Sequence, residues 1–103
     1  QIIDLYRKEI NPEKRWEWKL GCSEDNDYIL LDRRISGYHA TIIEHHGRFV
    51  IQDEGSFGGT YLISAASSTR RKLKPYTPEP LIDQDIIDFN TVTYRFMIIS
   101  VSS

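Results

Sequence analysis

Polar and apolar residues alternate with a period of two over most of this chain. Trp16, Trp18 and Leu20 alternate with Arg15, Glu17 and Lys19, the pattern of a strand buried on one face. Tyr28 to Leu31 is a short apolar run bounded by Asp27 and Asp32. His39 to Glu44 and Arg48 to Gln52 flank His45-His46-Gly47, which predicts a hairpin whose turn uses glycine. Thr60 to Ile63 is a short β-branched and aromatic strand. Asp85 to Phe89 and Val92 to Val101 flank Asn90-Thr91 as a second hairpin. Tyr94, Phe96 and Ile98 would share one face of its last strand.

Two segments break this rhythm. Ile2, Tyr6 and Ile10 fall at helical spacing, but Ile3 and Leu5 also fit a strand, and Pro12 ends either element. The β character of the rest favours a strand there. Ser64 to Pro80 holds Ser67-Ser68-Thr69, the basic run Arg70-Arg71-Lys72 and prolines at 75, 78 and 80. It reads as a long exposed loop with one short strand around Leu73. Short strands separated by turn signals predict an all-β sandwich.

Composition narrows the function. At 103 residues, 40% of them hydrophobic and 12% aromatic, residues 1–103 make a single folded domain rather than a disordered segment. Ser102 and Ser103 read as the boundary of a piece excised from a larger protein. A net charge of −2 argues against a nucleic-acid partner, and Arg70-Arg71-Lys72 with Lys74 reads as a solvated loop. No apolar run approaches the ~18 residues of a membrane span. Residues 1–10 carry charges throughout, unlike a signal peptide. Cys22, the lone cysteine, allows neither an internal disulfide nor a cysteine-rich zinc site. These features favour an intracellular compartment, nucleus or cytoplasm.

Two segments carry the most information: Ile35-Ser36-Gly37-Tyr38-His39-Ala40-Thr41-Ile42 and Asp53-Glu54-Gly55-Ser56-Phe57-Gly58-Gly59-Thr60-Tyr61-Leu62. With Gly21-Cys22 ahead of them and Leu81-Ile82-Asp83-Gln84-Asp85-Ile86 behind, their order and spacing resemble a forkhead-associated (FHA) domain over about residues 18–99. That family shows Gly-Arg, then Ser-Arg-x-His, then Asp-x-x-Ser-x-Asn-Gly-Thr. The resemblance implies a β-sandwich of about 11 strands presenting loops at one end, and loops that bind phosphothreonine peptides. Phosphate is a compact dianion, so such a site needs fixed donors: an arginine fork, a serine hydroxyl and backbone N–H groups.

This chain departs from the pattern where the chemistry is densest. Cys22 stands in place of the phosphate-binding arginine, Gly58 in place of the asparagine that grips peptide backbone, and Gly37 in place of a third polar residue. Ser36, His39 and Thr60 are kept. Arg33 and Arg34 lie just ahead of Ser36, and Arg34 matches a family position that contacts the side chain three after the phosphothreonine. Along an extended segment only Arg34 would share the face of Ser36. The candidate peptide-binding residues are therefore Arg33, Arg34, Ser36, Gly37, Gly58 and Thr60. Gly21, His39, Asp53, Ser56 and Gly59 are expected to be structural.

Other chemistry reads weakly. Ser36, His39 and Asp53 invite a hydrolase triad, but they lie in no nucleophile-elbow motif. His45 and His46 adjoin a turn and, as strand neighbours, should point to opposite faces, which suits surface histidines better than a metal site. Trp16 and Trp18 share a strand face and read as core rather than a base-stacking platform. The sequence thus predicts a non-catalytic interaction module without cofactor or metal. It is either a weak or altered phosphothreonine reader or a divergent FHA fold serving as a phosphate-independent scaffold. Its partner is a protein, a phosphothreonine peptide or a second copy of the chain.

Overall fold

Every described segment that pairs regularly is a strand. The computed structural model describes residues 2–3, 15–90 and 92–98. In chain order the strands are β1 (Ile2–Ile3), β2 (Trp16–Gly21), β3 (Tyr28–Ile29), β4 (Ala40–His45), β5 (Arg48–Asp53), β6 (Tyr61–Ile63), β7 (Arg70–Lys72), β8 (Glu79–Leu81), β9 (Ile86–Asp88) and β10 (Thr93–Phe96). They form two five-stranded sheets, ordered β1-β10-β9-β6-β7 and β3-β2-β4-β5-β8. The all-β sandwich is as expected, with ten strands among the described residues instead of about eleven. Ile2–Ile3 pair in parallel with β10, while the remainder of the Ile2–Ile10 segment lies outside the described residues, as do Thr91, Val101, Ser102 and Ser103.

The strongest period-two segments fold as their patterns require. Trp18 and Leu20 of β2, Ile42 of β4, Ile51 of β5 and Leu81 of β8 share one buried cluster with Leu62, Ile87 and Phe96 of the other sheet. Each such side chain contributes roughly 1.5–3 kcal/mol by leaving water. Trp16, half-buried, packs against the same cluster, so both tryptophans belong to the core. The β4–β5 register runs from Ala40↔Asp53 to His45↔Arg48, leaving a two-residue turn of His46 (φ 53°) and Gly47 (φ 77°). Positive φ at both positions matches the twist of the flanking strands.

Three expectations are corrected. Ser64 to Pro80 is not one long loop: β7 pairs with β6, and β8 pairs with β5. Leu73 and Leu81, each 2% exposed, pin this stretch to the core. Pro80 is tolerated in β8 because that strand lies at a sheet edge. Ile98 does not continue the inward row of Tyr94 and Phe96; β10 ends at Phe96, and Ile98 is exposed. The rings of His45 and His46 do not diverge. Their centroids lie 4.0 Å apart, because His46 has left the strand for the turn. Even so, among the described residues no three His, Cys, Asp or Glu side chains gather as metal ligands.

Gly21 ends β2 where two loops cross. A Cβ at Gly21 would lie 2.1 Å from the carbonyl oxygen of Gly37, whereas a Cβ at Gly37 would meet nothing closer than 3.8 Å. The first contact is with backbone and cannot be relieved by a rotamer change. Gly21→Ala is therefore expected to destabilise the fold by about 1–3 kcal/mol in urea unfolding, with Gly37→Ala changing it by less than about 1 kcal/mol. Equal midpoints for the two variants would contradict this contact.

Candidate functional site

The end of the sandwich opposite the His46-Gly47 turn is built from the β2–β3, β3–β4, β5–β6 and β9–β10 loops, which hold one another through named donors. The Cys22 N–H donates to the Ser36 carbonyl at 3.0 Å and the Ser23 N–H to the Gly37 carbonyl at 3.2 Å. The Asn26 Nδ2 donates to the same Gly37 oxygen at 2.6 Å. Asp25 accepts from the hydroxyls of Ser23 and Tyr38, and these bonds, that from Ser23 first, hold its carboxyl below the ordinary range. The β2–β3 loop is thus fastened along the backbone of Ser36-Gly37-Tyr38.

His39 joins the β3–β4 loop to the β5–β6 loop. Its ring is fully buried; Nδ1 accepts from the Ser36 N–H at 3.1 Å, and Nε2–H donates to the Gly59 carbonyl at 2.9 Å. One accepting and one donating nitrogen define the neutral imidazole. Burial pushes the His39 pKa down, against smaller opposing effects of the Gly59 bond and the Asp53 charge. Phe89, at the start of the β9–β10 loop, packs edge-on to the ring with centroids 4.9 Å apart.

Asp53 organises the β5–β6 loop from inside. Its Oδ1 accepts from the Ser56 and Thr60 hydroxyls at 2.5 and 2.7 Å, and its Oδ2 accepts from the Gly55 and Ser56 N–H groups, both at 3.0 Å. Gly59 (φ 81°) then turns the chain into β6. These bonds spend every hydroxyl of the loop on Asp53. Thr60, expected on the binding side, is fully buried, so its side chain cannot touch a peptide.

Ser36, His39 and Asp53 form no catalytic relay. His39 Nδ1 faces the Ser36 amide, not its hydroxyl, and Asp53 is bonded to its own loop. The Ser36 Oγ instead accepts from the Phe57 N–H at 2.9 Å. Its hydrogen remains available, since Ser36 donates to no described side chain or carbonyl through that hydroxyl.

Arg33 and Arg34 were expected on opposite sides of an extended segment. The structure places both beside Ser36, because residues 32–35 form a turn: the Ile35 N–H donates to the Asp32 carbonyl at 2.9 Å. Asp32 also receives the Arg34 backbone N–H at 2.9 Å and its guanidinium Nε and Nη2, each at 3.2 Å. Arg34 is therefore neutralised and fixed by Asp32, which raises its pKa. The Arg33 guanidinium has no partner among the described residues.

An open cleft of about 380 Å³ lies between these loops, lined by Arg33, Arg34, Ile35, Ser36, Phe57, Gly58, Phe89 and Asn90. Of the candidates, Gly37 and Thr60 are not in its wall. Phe57, Phe89 and Asn90 had no sequence signal as site residues. Phe57, completely exposed, stands at the rim, while Phe89 is buried against His39. Gly58 has no positive φ, and a Cβ there would lie 3.6 Å from the Arg34 carbonyl oxygen, an ordinary contact. Among the described residues no helix is long and apolar enough to cross a membrane.

Comparison with known proteins agrees with this fold. A family model described as FHA domain matches residues 18–90. Among solved structures, Mycobacterium tuberculosis EmbR in complex with a low-affinity phosphopeptide is similar at TM-score 0.69 and 23% identity, over 84% of this chain and 21% of that one. The N-terminal FHA domain of S. cerevisiae Rad53p, in complex with a phosphothreonine peptide, gives TM-score 0.61 and 27% identity over 78% of this chain and 60% of that one. The FHA domain of Chlamydia trachomatis CT664 gives TM-score 0.64 and 23% identity over 82% and 76%. The chain thus spans about a fifth and three fifths of the first two. No curated relative matches the sequence.

Burial of neutral His39 links stability to pH. Its depressed pKa means that the unfolded chain binds the proton first, so stability is fully present above the unfolded value of about 6.5 and is lost as pH falls below it. His39→Gln should lower stability by more than ~1 kcal/mol at pH 7.5. It should also show a shallower decline than the parent between about pH 6.5 and 5. Urea unfolding across that range checks both. Parallel profiles would remove the neutral-imidazole assignment.

Proposed function

The chain belongs to the FHA domain family, and we propose that it is a phosphothreonine-peptide reader with a rearranged set of donors. The observation that carries this reading is Ser36. Its hydroxyl is held at the cleft by the Phe57 N–H with its own hydrogen free to donate, and the unpaired Arg33 lies on the adjoining turn. A hydroxyl donor beside an uncommitted guanidinium is the minimum that a phosphate dianion needs. The bound form of Rad53p, with the same fold, supports a peptide as the partner. The module acts by binding and performs no catalysis.

Arg33 carries most of the charge in this scheme. Arg34 was expected to lead, but its guanidinium already forms a two-point pair with Asp32. It offers only its remaining donors, whereas Arg33 brings a full uncompensated charge. A second reading, a phosphate-independent scaffold, is favoured by two features: Cys22 stands where the family has arginine, and the cleft rim carries the fully exposed, apolar Phe57.

Two experiments separate the readings. A charge-assisted bond contributes ~1.5–3 kcal/mol, so Arg33→Ala should weaken a phosphothreonine peptide roughly 10- to 150-fold. Arg34→Ala should weaken it less, and added salt should shrink both effects. An unphosphorylated peptide binding equally well, measured by calorimetry, would establish the scaffold reading instead. Separately, Cys22→Arg with Gly58→Asn should tighten phosphopeptide binding at least tenfold, since the Gly58 backbone accepts a side chain without strain. No gain in the double variant would mean that the loops do not converge on phosphate.

A further inference from the structure

We infer that the peptide site extends beyond the loop cleft onto the outer face of β6 and β7, where Lys72 selects an acidic side chain of the ligand. This rests on the phosphopeptide reading above and names a chemical requirement on the ligand's flanks. The basic run Arg70-Arg71-Lys72 is exposed on the edge strand of its sheet. Two of its three charges are committed. Arg70 bonds Asp88 at 2.9 Å and lies 3.7 Å over the Tyr61 ring; Arg71 bonds Glu79 at 3.0 Å. The Lys72 ammonium has no partner among the described residues.

The position of Lys72 is set by glycine. Lys72 stands opposite Tyr61 in the β6–β7 ladder, and its side chain runs back over Gly59. A Cβ on Gly59 would lie 2.9 Å from the Lys72 Cε and 3.6 Å from its Nζ. The bare backbone therefore gives the lysine stem a bed, and its charged head lies beside the Gly58-Gly59 turn. Gly58 belongs to the wall of the cleft, and so does Asn90, which accepts from Arg70 at 3.3 Å. The path from the cleft to Lys72 runs over the two glycines, with no side chain at 58 or 59 to block an extended ligand, while Arg70, stacked on Tyr61 and bonded to Asn90, covers the neighbouring part of that face. Lys72 is the uncommitted cation at the end of that path.

The reach is short. One Cα–Cα step and the Gly59 contact place the ammonium within roughly 9 Å of the Gly58 Cα, about three residues of extended peptide. An Asp or Glu about three residues from the group seated in the cleft is the complementary ligand. Phosphate itself is not required of Lys72; its partner is a carboxylate, and the cleft residues remain responsible for the phosphothreonine.

A scan of one phosphothreonine peptide tests this, with alanine flanks and a single glutamate moved through the four positions on each side. Calorimetry should find one glutamate position that strengthens binding about two- to fivefold, the range of an exposed ion pair. Lys72→Ala should remove that gain and leave the all-alanine phosphopeptide unchanged, while Lys72→Arg should retain it. A gain that persists in Lys72→Ala, or no favoured position while the all-alanine phosphopeptide binds, overturns the role of Lys72 alone. Failure of every phosphopeptide to bind overturns both this inference and the phosphopeptide reading.

Discussion

A neutral, fully buried imidazole holds the loop end together. His39 takes a proton donor from one loop at Ser36 and gives one to another at Gly59, and its flank receives Phe89 from the third. The neutral imidazole accepts at one ring nitrogen and donates at the other, so a single rigid plane bridges the two loops without charge. The cleft is thereby defined by backbone held at a fixed spacing. Ser36 acquires its orientation secondarily, through the Phe57 N–H that the same arrangement delivers.

Asp53 is a second constraint of a different kind. It is a buried carboxylate whose charge is met by hydroxyl and amide donors from the loop that follows it, with no cation in the set of bonds. The loop closes on itself as a ring of donors around one anion. This explains why Ser56 and Thr60, both polar and both close to the cleft in sequence, contribute nothing outward. The polar wall of the cleft is left to Ser36, to the arginines of the Asp32 turn and to the backbone at Gly58.

The sheets were legible because their residues obey a period of two and their turns carry glycine or asparagine. Trp16 to Leu20 and the two flanks of His46-Gly47 needed no tertiary information. The Ser64–Pro80 stretch was misread because β7 and β8 are three residues each, with no alternation to detect; Leu73 and Leu81 alone mark where they anchor. At the site, the motif spacing identified Ser36, His39 and Asp53 through the family resemblance. The sides taken by Arg33 and Arg34 were not legible, since they depend on a turn that Asp32 closes through its carbonyl and carboxylate together. Phe57 and Asn90 reach the cleft through loop paths that local sequence does not encode.

The close approach at Gly21 bears on how such a domain can change. There, backbone meets backbone, and the loop that follows is tied down by main-chain N–H groups of Cys22 and Ser23. The identity of the side chain at position 22 plays no part in those bonds, and the same holds for the open positions at 37 and 58. Side chains at 22, 37 and 58 can therefore be exchanged while the chain still folds to the same outline. The chemistry of the cleft rim is a replaceable veneer over a frame fixed by glycines, one histidine and one aspartate, and it can be retuned without passing through an unfolded ancestor.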